Sequence, residues 1–181
     1  FIPSQVLAME YTISNVEINA YLQEDGNVQV DEFHTYSFDG EFNGIIREII
    51  PKKGTEIIDL QAMEGSSSLR IESNQSEHRI HRPGKDETIT VKLTYTITGG
   101  VDVYSDVAQF YWPFFDDSNE SAYENLTINV HPPSETNKVI AFGYDEAFKK
   151  ESVFPTGQVQ FPFGKVPDNT KGDIRVAYPS E

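Results

Sequence analysis

Residues 87–98 read ETITVKLTYTIT. Ile89, Val91, Leu93, Tyr95 and Ile97 take every second position, and Thr88, Thr90, Lys92, Thr94, Thr96 and Thr98 take the others. Successive side chains on a strand point to opposite faces, so period two over this length specifies a half-buried antiparallel strand. The same alternation recurs in Val16-Ile18-Ala20-Leu22, Leu126-Ile128-Val130, Val159-Phe161-Phe163 and Ile174-Val176-Tyr178. Tyr11 and Ile13 run out of phase with Val16 and Ile18. One extra residue near Ser14-Asn15 restores the phase, which predicts a β-bulge there.

Turn signals separate these runs. Glu24-Asp25-Gly26-Asn27 lies between two alternating stretches, and an Asp-Gly centre tolerates the positive φ of a tight hairpin. Pro83-Gly84, Gly99-Gly100, Pro132-Pro133, Thr156-Gly157 and Lys171-Gly172 punctuate the remainder. Helical patterning is confined to Tyr144–Lys150, one or two turns, while 44–50 reads equally as strand or turn. Short strands without intervening helices predict an all-β fold, an antiparallel β-sandwich of roughly eight to ten strands with at most one short helix. No repeat or linker divides the chain, so residues 1–181 read as one domain.

Composition narrows the function classes. The 181 residues carry 14 Lys+Arg against 29 Asp+Glu, a formal charge of −15. Phosphate recognition needs clustered cations, so nucleic acid is not an expected partner. There is no cysteine, which excludes disulfides, Cys-ligated zinc and a thiol nucleophile. The densest apolar run, Val107–Phe115, is broken by Gln109 and Pro113 and falls far short of a membrane span. The opening Phe1-Ile2-Pro3-Ser4 has neither an initiator Met nor a charged leader, so the chain reads as a processed piece of something longer.

Motifs for chemistry are scarce. No G-x-S-x-G or G-x-x-x-x-G-K-[ST] occurs, and no catalytic residue, metal ligand or cofactor is assigned. His78 and His81, three apart, fall on opposite strand faces and read as solvated histidines beside the Pro83-Gly84 turn. Asp116-Asp117 with Glu120, and Asp102 with Asp106, have loop contexts suited to calcium, but neither matches the D-x-[DN]-x-[DN]-G pattern.

The unusual stretch is Phe110-Tyr111-Trp112-Pro113-Phe114-Phe115-Asp116-Asp117, with five rings in six positions. Not all of them can face one way on a strand. Either alternate rings enter the core and the rest lie under a loop, or some form a surface next to acidic groups, as carbohydrate stacking or a protein hot spot uses. Tyr111, Trp112, Phe114, Phe115, Asp116 and Asp117 are therefore the candidate binding residues. Arg47 sits inside an apolar run and needs a carboxylate partner, which reads first as a structural clamp.

Residues 28–51, VQVDEFHTYSFDGEFNGIIREIIP, resemble the start of a bacterial predicted-membrane-protein family, domain of unknown function 2207. The resemblance is carried by Asp25-Gly26, Val28, Val30, Glu32, Tyr36, Phe38, Gly40, Phe42, Gly44, Ile45, Arg47, Ile49 and Pro51. A second block, 93–112, is similar through Tyr95, Ile97, Val101, Tyr104, Asp106, Ala108, Tyr111 and Trp112, and the segments 126–132 and 175–179 resemble later strands. Residues 113–122 and 134–158 fit least well.

The resemblance implies placement rather than activity: an ectodomain on the extracytoplasmic face of a bacterial membrane, tethered through segments outside this chain. It transfers no catalytic residues. The expected role is a non-enzymatic binding or interaction module that uses sheet edges or the 110–117 region to engage a protein or cell-wall polymer. The alternatives are a carbohydrate-binding or glycan-hydrolysing sandwich using Trp112 and nearby carboxylates, and a calcium-stabilised structural spacer.

Overall fold

The computed structural model describes residues 10–180. They form β1 (Glu10–Leu22), β2 (Val28–Asp39), β3 (Glu41–Glu48), β4 (Glu56–Glu64), β5 (Ser67–Asn74), β6 (Glu77–Lys85) and β7 (Thr88–Thr98). There follow β8 (Val101–Val103), β9 (Val107–Trp112), β10 (Tyr123–His131), β11 (Ile140–Gly143), β12 (Ser152–Val153), β13 (Val159–Val166) and β14 (Ile174–Pro179). Among the described residues the one helical element is a 3-10 turn, Asp145–Ala147, inside the stretch whose pattern predicts a short helix.

Ten strands make one large sheet in the order β12-β13-β10-β1-β2-β7-β4-β5-β6-β3, and four make a smaller one, β11-β14-β9-β8. The all-β class agrees with the alternation. The antiparallel sandwich needs correction, because β1 and β10 pair in parallel, from Ile13 beside Tyr123 to Tyr21 beside His131, making the large sheet mixed. Both strands are near-continuously apolar on their inward face, and such a face does not encode direction. Strand number is also higher than the sequence predicts. β4, β5 and β6 are mostly exposed or half-exposed, so they lack the one-sided apolar pattern that makes a strand legible.

β7 sits between β2 and β4 and buries Ile89, Val91, Leu93, Tyr95 and Ile97 on the face that the alternation selects. The β1–β2 register shifts between Ile13 and Asn15, where the phase change requires a bulge. The shift lets Ile13 join Val16, Ile18, Ala20 and Leu22 inside. The β1–β2 hairpin closes through Gly26 at φ +87°, with the Asn27 amide donating to Asp25 Oδ1 at 2.9 Å. Inward residues of both sheets, including Ile18, Leu93, Phe110, Phe161 and Val176, belong to one continuous core. Each large side chain fully buried there contributes roughly 1.5–3 kcal/mol.

Candidate functional site

β2 carries two polar groups into that core. Its inward positions are Val28, Val30, Glu32, His34, Tyr36 and Phe38, so strict period two places a carboxylate and an imidazole where aliphatic residues are usual. A carboxylate taken out of water must be paired and hydrogen-bonded. β3 supplies the partner. Its register shifts between Phe42 and Gly44, after which Ile45, Arg47 and Ile49 face inward.

Arg47 grips Glu32 with two prongs, Nε to Oε1 at 2.7 Å and Nη2 to Oε2 at 2.9 Å. His34 Nε2 lies 2.7 Å from Oε1, and the Tyr95 hydroxyl donates to Oε2 at 2.5 Å. Burial alone pushes the Glu32 carboxyl up, but the Arg47 charge and the hydrogen bonds from His34 and Arg47 prevail and hold it well below the ordinary carboxylate range. An ionised carboxylate only accepts, so His34 Nε2 carries the proton in this contact. Burial lowers and Glu32 raises the Arg47 guanidinium, with a net rise, so the pair is charged at any working pH.

Arg47 also ties the site together. Nη1 donates to the Glu48 carbonyl at 2.8 Å, and Nη2 donates to the Phe114 carbonyl at 3.0 Å. The second bond anchors the loop between β9 and β10 against the end of β3. A cleft of about 580 Å³ opens between them. Its walls include Tyr11 and Tyr36 from β1 and β2, Arg47 to Lys52, Trp112 to Asp116, Ser118 to Ser121, and Tyr123. Tyr11 and Tyr36 stack with centroids 5.9 Å apart, and the Tyr11 hydroxyl bonds Ser121 Oγ across the loop.

The candidate binding residues divide. Trp112, Phe114 and Phe115 line the cleft but are buried, with Trp112 only 1 % exposed. The reading of Trp112 as a glycan-stacking platform is thereby corrected: packed against Phe110 and Phe114, its ring has no free face of useful size. Tyr111 points to the other side of β9, where its hydroxyl donates to Asp173 Oδ2 at 2.9 Å and Lys52 and Arg175 lie over its ring. Asp116 lines the cleft and accepts from the Ser118 amide at 2.9 Å, whereas Asp117 is exposed outside it. Glu120 is on the rim.

His78 is buried rather than solvated, because it pairs across from Arg47 in the β3–β6 ladder and its Nδ1 meets Ser73 Oγ at 2.8 Å. Burial, followed by the Arg47 charge, lowers its pKa. Among the described residues no group of three or more His, Asp or Glu is arranged to hold a metal ion.

The clamp expected for Arg47 is present, and its partner is Glu32. Glu32, Tyr36, Arg47 and Tyr95 all belong to the sequence blocks that carry the family resemblance, and the fold brings them to one place. The family model described as predicted membrane protein (DUF2207) N-terminal domain matches residues 12–178. The chain belongs to this family.

Around the DUF2207 domain the comparisons define a fold. An M1 zinc metallopeptidase from Deinococcus radiodurans aligns over 91 % of this chain and 42 % of its own, at 12 % identity and TM-score 0.55. Leukotriene A4 hydrolase from Saccharomyces cerevisiae aligns over 92 % and 29 %, at 11 % identity and TM-score 0.52. An aminopeptidase N family protein from Idiomarina loihiensis aligns over 89 % and 29 %, at 11 % identity and TM-score 0.52. The chain thus spans less than half the length of each enzyme, and at this identity the likeness is one of fold alone. No curated protein matches the sequence. No helix among the described residues is long and apolar enough to cross a membrane.

Proposed function

We propose that this DUF2207 domain is a non-enzymatic binding module on the extracytoplasmic face of the membrane, and that it engages a protein or wall polymer at the cleft between β3 and the 113–121 loop. The observation that carries this reading is the state of the charges under the cleft. A general acid or base needs a pKa near working pH and a free hydrogen-bonding position. Both Glu32 oxygens are already taken by Arg47, His34 and Tyr95, and the carboxyl is held far below neutrality. Such a group fixes geometry rather than shuttling protons.

The cleft walls support the same reading. Arg47 pins the Phe114 carbonyl, and the Asn119 carbonyl accepts from the Asn169 amide at 2.8 Å, so the loop is held at two points. A preformed concave surface lowers the ordering cost of binding. Tethering to a membrane is supported by membership in a family described as predicted membrane proteins.

The test presents the domain with a soluble digest of wall polymer and with detergent-extracted membrane proteins. The expected result is retention of a ligand whose mass is unchanged, and its loss when Ser118→Trp fills the cleft mouth. Turnover of a wall fragment, or equal retention by Ser118→Trp, contradicts the proposal.

A further inference from the structure

The cleft has a chemical bias. Glu48, Glu77, Asp116 and Glu120 line it, against Arg47 and Lys52. Arg47 is committed to Glu32 and two carbonyls, and Lys52 Nζ donates to the Tyr111 carbonyl at 2.7 Å. Of the carboxylates, Glu77 pairs with Arg79 and Asp116 accepts from Ser118. Glu48 and Glu120 have no ion-pair partner among the described residues.

An acidic rim alone is ordinarily solvated surface. Here a second feature lies beneath it. Tyr36 and Tyr123 are 6 % and 7 % exposed and line the cleft. Among the described residues neither hydroxyl has a hydrogen-bond partner, yet neither is sealed from solvent. With no protein partner and an opening toward the cleft, the two hydroxyls are free to bond an incoming polar group. His34 lines the same space.

We infer that the cleft receives a basic side chain of a peptide, of the lysine type, with Glu48 and Glu120 balancing its charge and the Tyr36 and Tyr123 hydroxyls accepting its N–H groups. The inference rests on the binding-module reading and names the ligand chemistry. An ammonium offers three donors and no acceptor, which complements this set. Its methylene stem packs on the aromatic wall of the cleft. An anionic ligand meets four carboxylates, and a neutral sugar leaves the charges of Glu48 and Glu120 unused.

Trp112, the single tryptophan, lines the cleft and gives one indole N–H resonance. The experiment follows that resonance in ¹⁵N-labelled protein during titration with Nα-acetyl-lysine methylamide, with its Nε-acetylated derivative and with N-acetyl-glutamate methylamide. The expected result is a saturable shift with the lysine probe alone. Binding weakens by about tenfold or more in Glu48→Gln/Glu120→Gln. It weakens also in Tyr36→Phe/Tyr123→Phe, which keeps the rings. Asp102→Asn/Asp106→Asn, an equal charge change away from the cleft, leaves it unaltered.

Equal weakening by Asp102→Asn/Asp106→Asn overturns the inference in favour of general attraction to an acidic protein. A shift with the acetylated or glutamate probe at least as large as with lysine overturns it while leaving the binding module standing. No shift with any probe overturns it too, and the module is then judged by the polymer and membrane-extract assay alone.

Discussion

Replacing Glu32 with glutamine keeps the side-chain shape and removes the charge that Arg47 is buried against. The carboxylate accepts four hydrogen bonds, two from Arg47, one from His34 and one from Tyr95. Glutamine presents an NH₂ at one of these positions, so a guanidinium or hydroxyl donor then faces another donor. Breaking a buried pair from one side costs about 3–5 kcal/mol, because the remaining charge is uncompensated. Domains of this kind have a total stability of roughly 5–15 kcal/mol. At about 2–4 °C per kcal/mol for this size, Tm falls by roughly 6–20 °C. The assay is thermal and urea unfolding at pH 7, followed by far-UV circular dichroism and Trp112 emission. The double variant Glu32→Leu/Arg47→Met removes both charges and is expected to recover at least half of that loss. A Glu32→Gln protein within about 1 kcal/mol of wild type, or a double variant as unstable as the sum of the singles, refutes the reasoning.

Three further outcomes follow from the same geometry. The Glu32 carboxyl is depressed in the folded state, so the unfolded chain binds its proton first as pH falls; the stability it supplies is complete above the unfolded value near 4.3 and is lost progressively below it. Urea midpoints between pH 6 and pH 3 are expected to fall less steeply in Glu32→Gln than in wild type, and parallel curves would remove Glu32 from the acid response. Trp112 is 1 % exposed, so native emission is expected to be blue-shifted and poorly quenched by acrylamide, with a red shift on unfolding; a quenchable native indole contradicts the packing. A Cβ at Gly143 lies 1.8 Å from the Ala147 carbonyl oxygen, so Gly143→Ala is expected to cost about 1–3 kcal/mol in urea unfolding, and an unchanged midpoint would show that the 3-10 turn moves freely.

Much of the fold is legible in single residues. The phase slip between Ile13 and Val16 marks the bulge, and the alternation of 87–98 marks a central strand with its inward face correctly chosen. The parallel β1–β10 pairing is not legible, because it joins segments more than a hundred positions apart whose inward faces are alike. The ribbon of β4 to β6 is hidden for the opposite reason, having little buried surface to pattern. At the site, the need of Arg47 for a carboxylate was readable and its partner was not. The signal was present in β2, where Val28, Val30, Tyr36 and Phe38 set an inward phase that Glu32 and His34 share. The aromatic run drew attention to the right loop, but its buried rings form the cleft wall, while Tyr36 and Tyr123 supply the hydroxyls.

The central claim is that the cleft is where this domain meets its ligand. It is tested most directly by placing a photo-crosslinking amino acid at Ser118, on the cleft rim, and separately at the exposed Lys165 on β13, in the full-length protein within its native membrane. The account predicts a discrete adduct from position 118 that is absent from position 165 and is lost in Glu48→Gln/Glu120→Gln. The same adduct from both positions, or none from 118, would contradict it.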